Sequence, residues 1–359
     1  MLVKKFLCML LVVFAALPLW GCGGQNGDTQ TETGKSAGEI AIFYHSYEDD
    51  YLAGVRSSLS EELASAGVLH QDYNSENNQS LQNEQIAQAI AEGASMLLVD
   101  IVEEYDNEAA QAVVNQAKAA KLPLIFFHGE VSEWVVTTYD QCIYVRRDDA
   151  GVGITQGRMI GDYLLENYKK VDRNQDGKIS YVIFTGDETD EDSLSRTQYS
   201  PIMINNYLNR EKKPAIVYFD RMSTKRYLAD PKGAWSFDAA KDYMSDVLRR
   251  YNEKNGNLIE LVIACNDEMA LGAVAALREA GVESVPVFGI GATEAGKQAI
   301  HAGYMTGTLE KDSPSMGETL ALLVNNFRTP GRSYFYDVPP GEVEGTWRVN
   351  VPYSYYLGE

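Results

Sequence analysis

From Ile40 onward the chain alternates short apolar runs with stretches of helical period, and this alternation restricts the fold more than any other feature. Ile40–Tyr44 reads as a strand and Tyr51–Ala66 as a helix. Strands at Val68–Tyr73, Met96–Ile101 and Pro123–Phe127 are separated by helices at Leu81–Glu92 and Ala109–Ala120. The same rhythm continues through a strand at Ile143–Val145, a helix at Val152–Tyr168, a strand at Ser180–Phe184 and a helix at Ser195–Tyr207. Ile216–Phe219, Leu261–Ala264 and Val285–Ile290 are further strands, and Phe237–Tyr251, Met269–Ala280, Gly296–His301 and Met316–Phe327 further helices. Strands alternating with helices pair in parallel, and a parallel sheet must be covered on both faces. The expected class is therefore α/β, with doubly wound parallel sheets. Globular sequence starts at Glu39, and the length from there on suits two domains, each of roughly 100–200 residues. After residue 39 the sequence shows no transmembrane stretch, low-complexity region or short repeat.

In open parallel sheets, ligands bind beyond the carboxyl ends of the strands. Here those positions carry Tyr47-Glu48-Asp49-Asp50, Asn74, Glu103-Glu104, His128, the segment Asp187–Asp192, Asn266-Asp267, Gly291 and Lys311. Such a set suits a polar ligand held by many hydrogen bonds. Catalysis is not expected. His45, His70, His128 and His301 form no motif with Ser or Cys, and neither a Gly-rich phosphate loop nor G-x-S-x-G occurs.

The head of the chain reads as an export signal. Lys4 and Lys5 precede an apolar run from Phe6 to Trp20, which ends at Leu19-Trp20-Gly21-Cys22. The run is short for a membrane span of roughly 20 apolar residues and fits the core of a secretory signal. A small residue before Cys22 resembles the bacterial lipoprotein box, although Trp20 departs from the small residues usual there. Residues 1–22 are expected to be a signal ending at a lipidated Cys22; a simple membrane anchor or an uncleaved signal is the plainer alternative. Residues 23–38 are polar and Gly-rich and should form a flexible tether. The formal charge of −20 disfavours nucleic acid or an anionic membrane face as partner. Cys142 and Cys265 lie in separate strand-like runs and are expected to be free buried thiols.

Asp172-Arg173-Asn174-Gln175-Asp176-Gly177-Lys178-Ile179-Ser180 looks like the start of a calcium loop. Side-chain oxygens stand at positions one, three and five, Gly at six, a backbone carbonyl (Lys178) at seven and Ser180 at nine. A helical EF-hand would have Glu at position twelve, but that position is Ile183. An Asx-rich turn without metal is the plain alternative.

Collinear with these features are Tyr47-Glu48-Asp49-Asp50-Tyr51, Asn77-Asn78-Gln79-Ser80, Pro123-Leu124-Ile125-Phe126-Phe127, Ala234-Trp235, Ala239-Ala240-Lys241-Asp242, Ile259 through Asp267, and Val285-Pro286-Val287-Phe288-Gly289. From about Ile40 to Tyr353 the chain thereby resembles the galactose/glucose-binding type of the type I periplasmic substrate-binding proteins of sugar ABC transporters. The same fold forms the sensor half of LacI-type repressors, whose DNA-binding head is here replaced by a signal and tether. The resemblance implies two doubly wound parallel-sheet lobes joined by a three-crossing hinge, the periplasmic-binding-protein-like I fold. It implies crossings near Val145–Asp149, Leu309–Asp312 and Val349–Pro352. Lobe one would be residues 39–146 plus 310–350, and lobe two 147–309 plus 351–359.

The resemblance also implies that a structural calcium ion takes its last ligand from Glu260, joining Asp172, Asn174, Asp176, Lys178 and Ser180. Relatives have Gln where Ser180 stands. In the cleft it implies hydrogen bonds from Asp49 and Asn266, a charged pair of Asp192 and Arg196, and a sugar ring sandwiched by Tyr51 and Trp235. Each has a plainer reading: Asp49 as a helix cap, Asp192 and Arg196 as a surface pair, Trp235 as core. Four positions depart from the family. His128 replaces an Asn, Asp190 a His, Gly291 an Asp that grips two hydroxyls, and Lys311 an Asn. These departures suggest a sugar other than glucose or galactose, larger or substituted, with Lys311 and His128 meeting an added polar group. The implied function is the capture subunit of a sugar ABC importer, an extracytoplasmic monomer that closes on its ligand and docks on a permease. Rival readings are a sensor docking on a chemoreceptor or sensor kinase, and the same fold with a non-sugar polar ligand.

Overall fold

A computed structural model describes residues 38–282 and 284–358, and within them every side chain except those of Glu191, Asp192 and Leu194. The expected signal, the lipidation site Cys22 and residues 23–37 of the tether lie outside the described residues.

The elements follow one another as β1 (Ile40–Tyr44), α1 (Asp50–Ser65), β2 (His70–Asn74), α2 (Gln79–Glu92), β3 (Met96–Val99), α3 (Asn107–Ala120), β4 (Leu124–Phe127), α4 (Glu133–Val136) and β5 (Cys142–Arg147). Then come α5 (Val152–Val171), β6 (Ser180–Thr185), α6 (Glu191–Arg210), β7 (Val217–Tyr218), β8 (Leu228–Ala229), α7 (Phe237–Arg250), β9 (Leu261–Ala264), α8 (Asp267–Glu279), β10 (Val287–Phe288) and α9 (Glu294–His301). The chain ends with β11 (Thr308–Glu310), α10 (Ser313–Arg328), β12 (Val343–Glu344), β13 (Arg348–Val351) and β14 (Ser354–Tyr356).

The first sheet has the order β12-β13-β5-β4-β3-β1-β2 and is parallel except for its edge pair β12–β13. Every residue of β1 is buried, as a central parallel strand requires. Ile40, Ile42 and Tyr44 pack with Leu52, Val55 and Leu59 of α1 and Leu320 and Val324 of α10. Ala41 and Phe43 face the other way, onto Ile86 of α2 and Val113 and Val114 of α3. Each buried large side chain contributes about 1.5–3 kcal/mol. Covering both faces therefore does more for stability than the modest hydrophobic asymmetry of the helices suggests.

The second sheet runs β10-β9-β6-β7, with β8 pairing the far end of β6. Helix α5 lies on α6, and α7 on α8. Gly157 lets α5 approach: a Cβ there would stand 2.5 Å from the Ser200 carbonyl oxygen. β11 pairs antiparallel with β14.

The chain passes between the two halves three times. Val145 belongs to the first core and Val152 to the second; Leu309 belongs to the second and Met316 to the first; Val351 belongs to the first and Tyr353 to the second. The first sheet reaches one residue past each of the expected limits, because Arg147 and Val351 are register partners in the β5–β13 pairing.

Most elements fall where the hydrophobic period places them. Val68 is an exception: its N–H donates to the Leu63 carbonyl and closes α1, so β2 starts only at His70. The apolar run around β10 is strand over only two residues, Val287 and Phe288. Helix α4 and strands β8, β11, β12, β13 and β14 were not read from the hydrophobic period, being too short to show one. Among the described residues no helix is long and apolar enough to cross a membrane.

Both sheets contain a reversal of winding. In the first it lies between β1 and β3, and in the second between β6 and β9. The crevice outside the carboxyl ends at such a point is where this class of sheet binds ligands.

Candidate functional site

At the first reversal, β1 delivers His45, β3 delivers Asp100 and the next strand, β4, delivers His128. Asp100 is fully buried. Its Oδ2 accepts from the backbone N–H of His45 at 3.0 Å and faces His45 Nδ1 at 2.6 Å, while its Oδ1 faces His128 Nδ1 at 3.2 Å. Burial alone would raise the Asp100 carboxyl, but the hydrogen bonds from His128 and His45 outweigh it and hold the group below its ordinary value. The same hydrogen bond raises His45.

The two imidazoles stack at 5.8 Å with planes 7° apart. His128 stacks in turn on Tyr51 at 5.7 Å, and the Arg147 guanidinium lies 5.2 Å over the Tyr51 ring. Arg147 pairs with Asp149 at 3.5 Å, whose Oδ1 also accepts from the Tyr353 hydroxyl at 2.6 Å. A continuous column of rings thus runs from a buried carboxylate to the hinge. Burial pushes the Tyr51 hydroxyl up to about 12.

At the second reversal, Trp235 takes a left-handed backbone (φ 56°), and its ring lies against Gly186 just after β6. A Cβ at Gly186 would stand 2.1 Å from that ring, so only glycine leaves room for it. Asn266 caps α8 by accepting from Met269 N and donates its Nδ2 to the Trp235 carbonyl. Arg196 donates Nη1 to the Cys265 carbonyl at 2.9 Å, with its guanidinium 5.5 Å over Trp235. Gly291 has φ 131°, and a Cβ there would meet nothing closer than 3.7 Å.

Lys311 follows β11 on the second crossing and reaches solvent. Partial burial lowers its ammonium below the usual value; Arg147 and Arg196 lower it further, while Asp149 and Asp49 pull it back. Asp49 of the first half, Arg196 of the second and Lys311 of the hinge therefore share one electrostatic neighbourhood.

Several expected ligand residues also serve the scaffold. Asp49 caps α1 by accepting from Leu52 N at 2.8 Å. Asp190 caps α6 by accepting from the N–H and hydroxyl of Ser193. Each cap leaves carboxylate lone pairs for a ligand. The Asp192 side chain lies outside the described residues. Tyr51 and Trp235 each hold a ring contact within their own half. His45 and Asp100 were not singled out as site residues. The available signal was positional: both stand one residue past a strand, on neighbouring strands about 4.8 Å apart. Cys142 and Cys265 are free and buried, as expected.

The loop Asp172–Ser180 connects α5 to β6, on the far side of the second half from these residues. Glu260 is buried at its base; Oε1 accepts from Arg173 N and Asn174 N, and Oε2 from Ser180 N. Asp172 Oδ2 accepts from Gly177 N, whereas its Oδ1 is buried with no hydrogen-bond partner. The Ser180 hydroxyl donates to the Leu258 carbonyl instead of turning into the loop. Asn174, Asp176, Lys178, Ser180 and Glu260 help line a concavity of about 430 Å³. An orphaned carboxylate oxygen in an all-oxygen setting fits a hard dication such as calcium.

Residues 40–328 match the family model described as periplasmic binding protein domain. The D-galactose/methyl-galactoside binding periplasmic protein MglB of Haemophilus influenzae is 30% identical over 288 residues, covering 80% of each chain. A xylitol-binding protein of Mycolicibacterium smegmatis is 28% identical over 250 residues, covering 68% of this chain and 60% of that protein. Among solved structures, the arabinose-binding protein AraP of Geobacillus stearothermophilus superposes with a TM-score of 0.53 at 12% identity, covering 89% of this chain and 97% of that one.

Proposed function

Because the chain belongs to the periplasmic binding protein domain family, a family of extracytoplasmic solute-binding proteins and not of enzymes, we propose that it captures a sugar between its two halves for an ABC importer. The observation that carries this reading is the convergence at both winding reversals. Asp49 beyond β1, Arg196 of α6 and the hinge residues Arg147 and Asp149 all act on the charge of Lys311, and Tyr51 and Trp235 stand beside them at the two reversals. The galactose-binding relative supports a monosaccharide-sized ligand.

The ligand differs from glucose or galactose at the positions where this chain has Gly291 and Lys311. Loss of a charged acceptor that grips two hydroxyls removes bonds worth roughly 1.5–3 kcal/mol each. The open space at Gly291 and the ammonium of Lys311 suit a larger or substituted sugar, with His128 meeting the added polar group through its solvent-facing edge. Lys311→Ala and Gly291→Asp should reorder the preference among sugars; an unchanged order in both would sink this part of the reading.

A calcium ion held by Asp172, Asn174, Asp176, the Lys178 carbonyl and Glu260 would brace the second half, with Ser180 contributing only if its hydroxyl leaves Leu258. Lipidation at Cys22 would tether the protein to the membrane.

The direct test is thermal unfolding of the protein against a panel of mono- and disaccharides, with calcium and with chelator. A ligand at 100 times its dissociation constant stabilises by about 2.7 kcal/mol, a readable shift. A shift with one sugar class identifies the ligand. Silence across the panel, with chelator still lowering the melting point, would reject the sugar and leave the calcium-braced fold.

A further inference from the structure

We propose that His45, Asp100 and His128 form a binding site for a first-row transition-metal dication, with zinc the ion that fits their chemistry best. The site is separate from the acidic loop and does not rest on the sugar reading. One ligand atom from each residue lies within 4.8 Å of the other two. Nδ1 of His45 is 2.6 Å from one carboxylate oxygen of Asp100, and Nδ1 of His128 is 3.2 Å from the other. Ligands held about 2.0–2.2 Å from a tetrahedral zinc ion stand about 3.3–3.6 Å apart. The His128–Asp100 separation is close to that spacing, and the His45 ring needs to draw back from Asp100 by less than about 1 Å to admit the ion. Two imidazoles and one carboxylate favour zinc, nickel, copper or iron over calcium or magnesium, which take oxygen sets.

The support around the three side chains is that of a ligand shell held in position. Asp100 is fully buried and anchored through its backbone as well, its carbonyl accepting from Gln82 Nε2 at 2.9 Å. The near-parallel stacking of the rings, 7° apart, keeps both imidazoles edge-on to the carboxylate. His128 holds a left-handed backbone at φ 63°, a conformation that costs about 1–3 kcal/mol and gathers at ligand clamps. An ion has a route in, since the His45 and His128 side chains are 21% and 15% exposed.

Each ring directs its Nδ1–H at Asp100. On ion binding that proton is given up, Nε2 carries the N–H that a neutral imidazole needs, and Nδ1 is left as the ligand. Neither Nε2 has a hydrogen-bond partner among the described residues, so nothing opposes the exchange. The remaining coordination positions of the ion face the crevice, where water or a ligand oxygen can fill them.

The test is calorimetric titration of the full-length protein with zinc chloride, in excess calcium so that the acidic loop is occupied. Cobalt(II) absorption spectra serve as a second readout for nitrogen ligation. His45→Asn and His128→Asn keep an N–H for Asp100 and preserve the fold while removing a ring nitrogen. One zinc per chain is expected, weakened more than about 100-fold in either variant, beyond what loss of a supporting partner costs. Asp172→Ala with Asp176→Ala should leave zinc affinity unchanged, and the visible cobalt bands should vanish in the histidine variants. No zinc binding by the natural protein, or equal binding in the His45→Asn/His128→Asn double variant, would overturn the proposal and leave the cluster as an internal hydrogen-bond network.

Discussion

The acidic loop and the histidine cluster gather their candidate metal-binding groups in opposite ways. The loop takes all but one of its candidate donors from the nine residues Asp172–Ser180, and its tip is exposed at Asn174 and Asp176. It holds itself together through contacts such as Gly177 N on Asp172 and Lys178 N on Asp176. The cluster takes one residue from beyond each of three neighbouring strands, around a carboxylate with no exposure at all. A loop of the first kind is assembled by local turn chemistry, whereas a cluster of the second kind exists only once β1, β3 and β4 have paired. Removing the anchor should therefore damage the loop through its own backbone and the cluster through its side chains.

The largest expected effect is at Glu260, which ties the loop to β9. Its two oxygens accept from three backbone N–H groups. Glu260→Ala leaves those donors without their charged acceptor and should cost about 3 kcal/mol, measured by urea unfolding with chelator present. A loss below about 1 kcal/mol would mean that the loop holds its shape without this anchor. Next comes removal of the proposed calcium ion. At a free calcium concentration 100 times the dissociation constant, chelation should cost about 2.7 kcal/mol, and Asp172→Asn with Asp176→Asn should abolish that sensitivity. A chelator effect that survives in the double variant would place the ion elsewhere.

The contrast between these sites also explains what could be read from the sequence. The alternation of β1, α1 and their successors was visible because each element has its own period, and the loop was visible because its candidate donors stand at alternate positions of one short segment. Trp235 and Asn266 were found by resemblance, but not the bond from Asn266 to the Trp235 carbonyl, which depends on a left-handed residue packed against Gly186. Asp49, Asp190 and Asn266 were read as ligand contacts, and each caps a helix in the structure, a role the sequence had offered for Asp49 alone. The residues His45 and Asp100 stand 55 apart, and only strand order makes them neighbours. Sequence spacing carries no trace of strand order, so the cluster could not be read as a motif.

Asp100→Ala tests the cluster side of the comparison. It removes the acceptor of two imidazoles and of the His45 backbone N–H. Because both rings reach solvent, water replaces part of what is lost. The expected cost is about 2 kcal/mol, smaller than at Glu260 although Asp100 is the more deeply buried. A larger loss than that of Glu260→Ala would reverse the comparison and make the cluster the principal brace of its half.

The smallest effect isolates backbone conformation from ligand chemistry. Gly177 sits at φ 76° with nothing within 4 Å of where a Cβ would be, so Gly177→Ala adds no collision and only the cost of a left-handed residue. That cost is about 1 kcal/mol, readable as a lowered urea midpoint at unchanged slope. Gln175 occupies the same loop at φ 57° with a side chain already in place. If strain is the cause, Gln175→Gly should move the midpoint the opposite way, by a few tenths of a kcal/mol up to about 1. Entropy lost on ordering the new glycine opposes that gain, so its sign shows which of the two dominates at a position flanked by the candidate donors Asn174 and Asp176. A fall in both variants would mean that loop entropy outweighs strain, and that the loop depends more on an ion to hold it than on its own backbone.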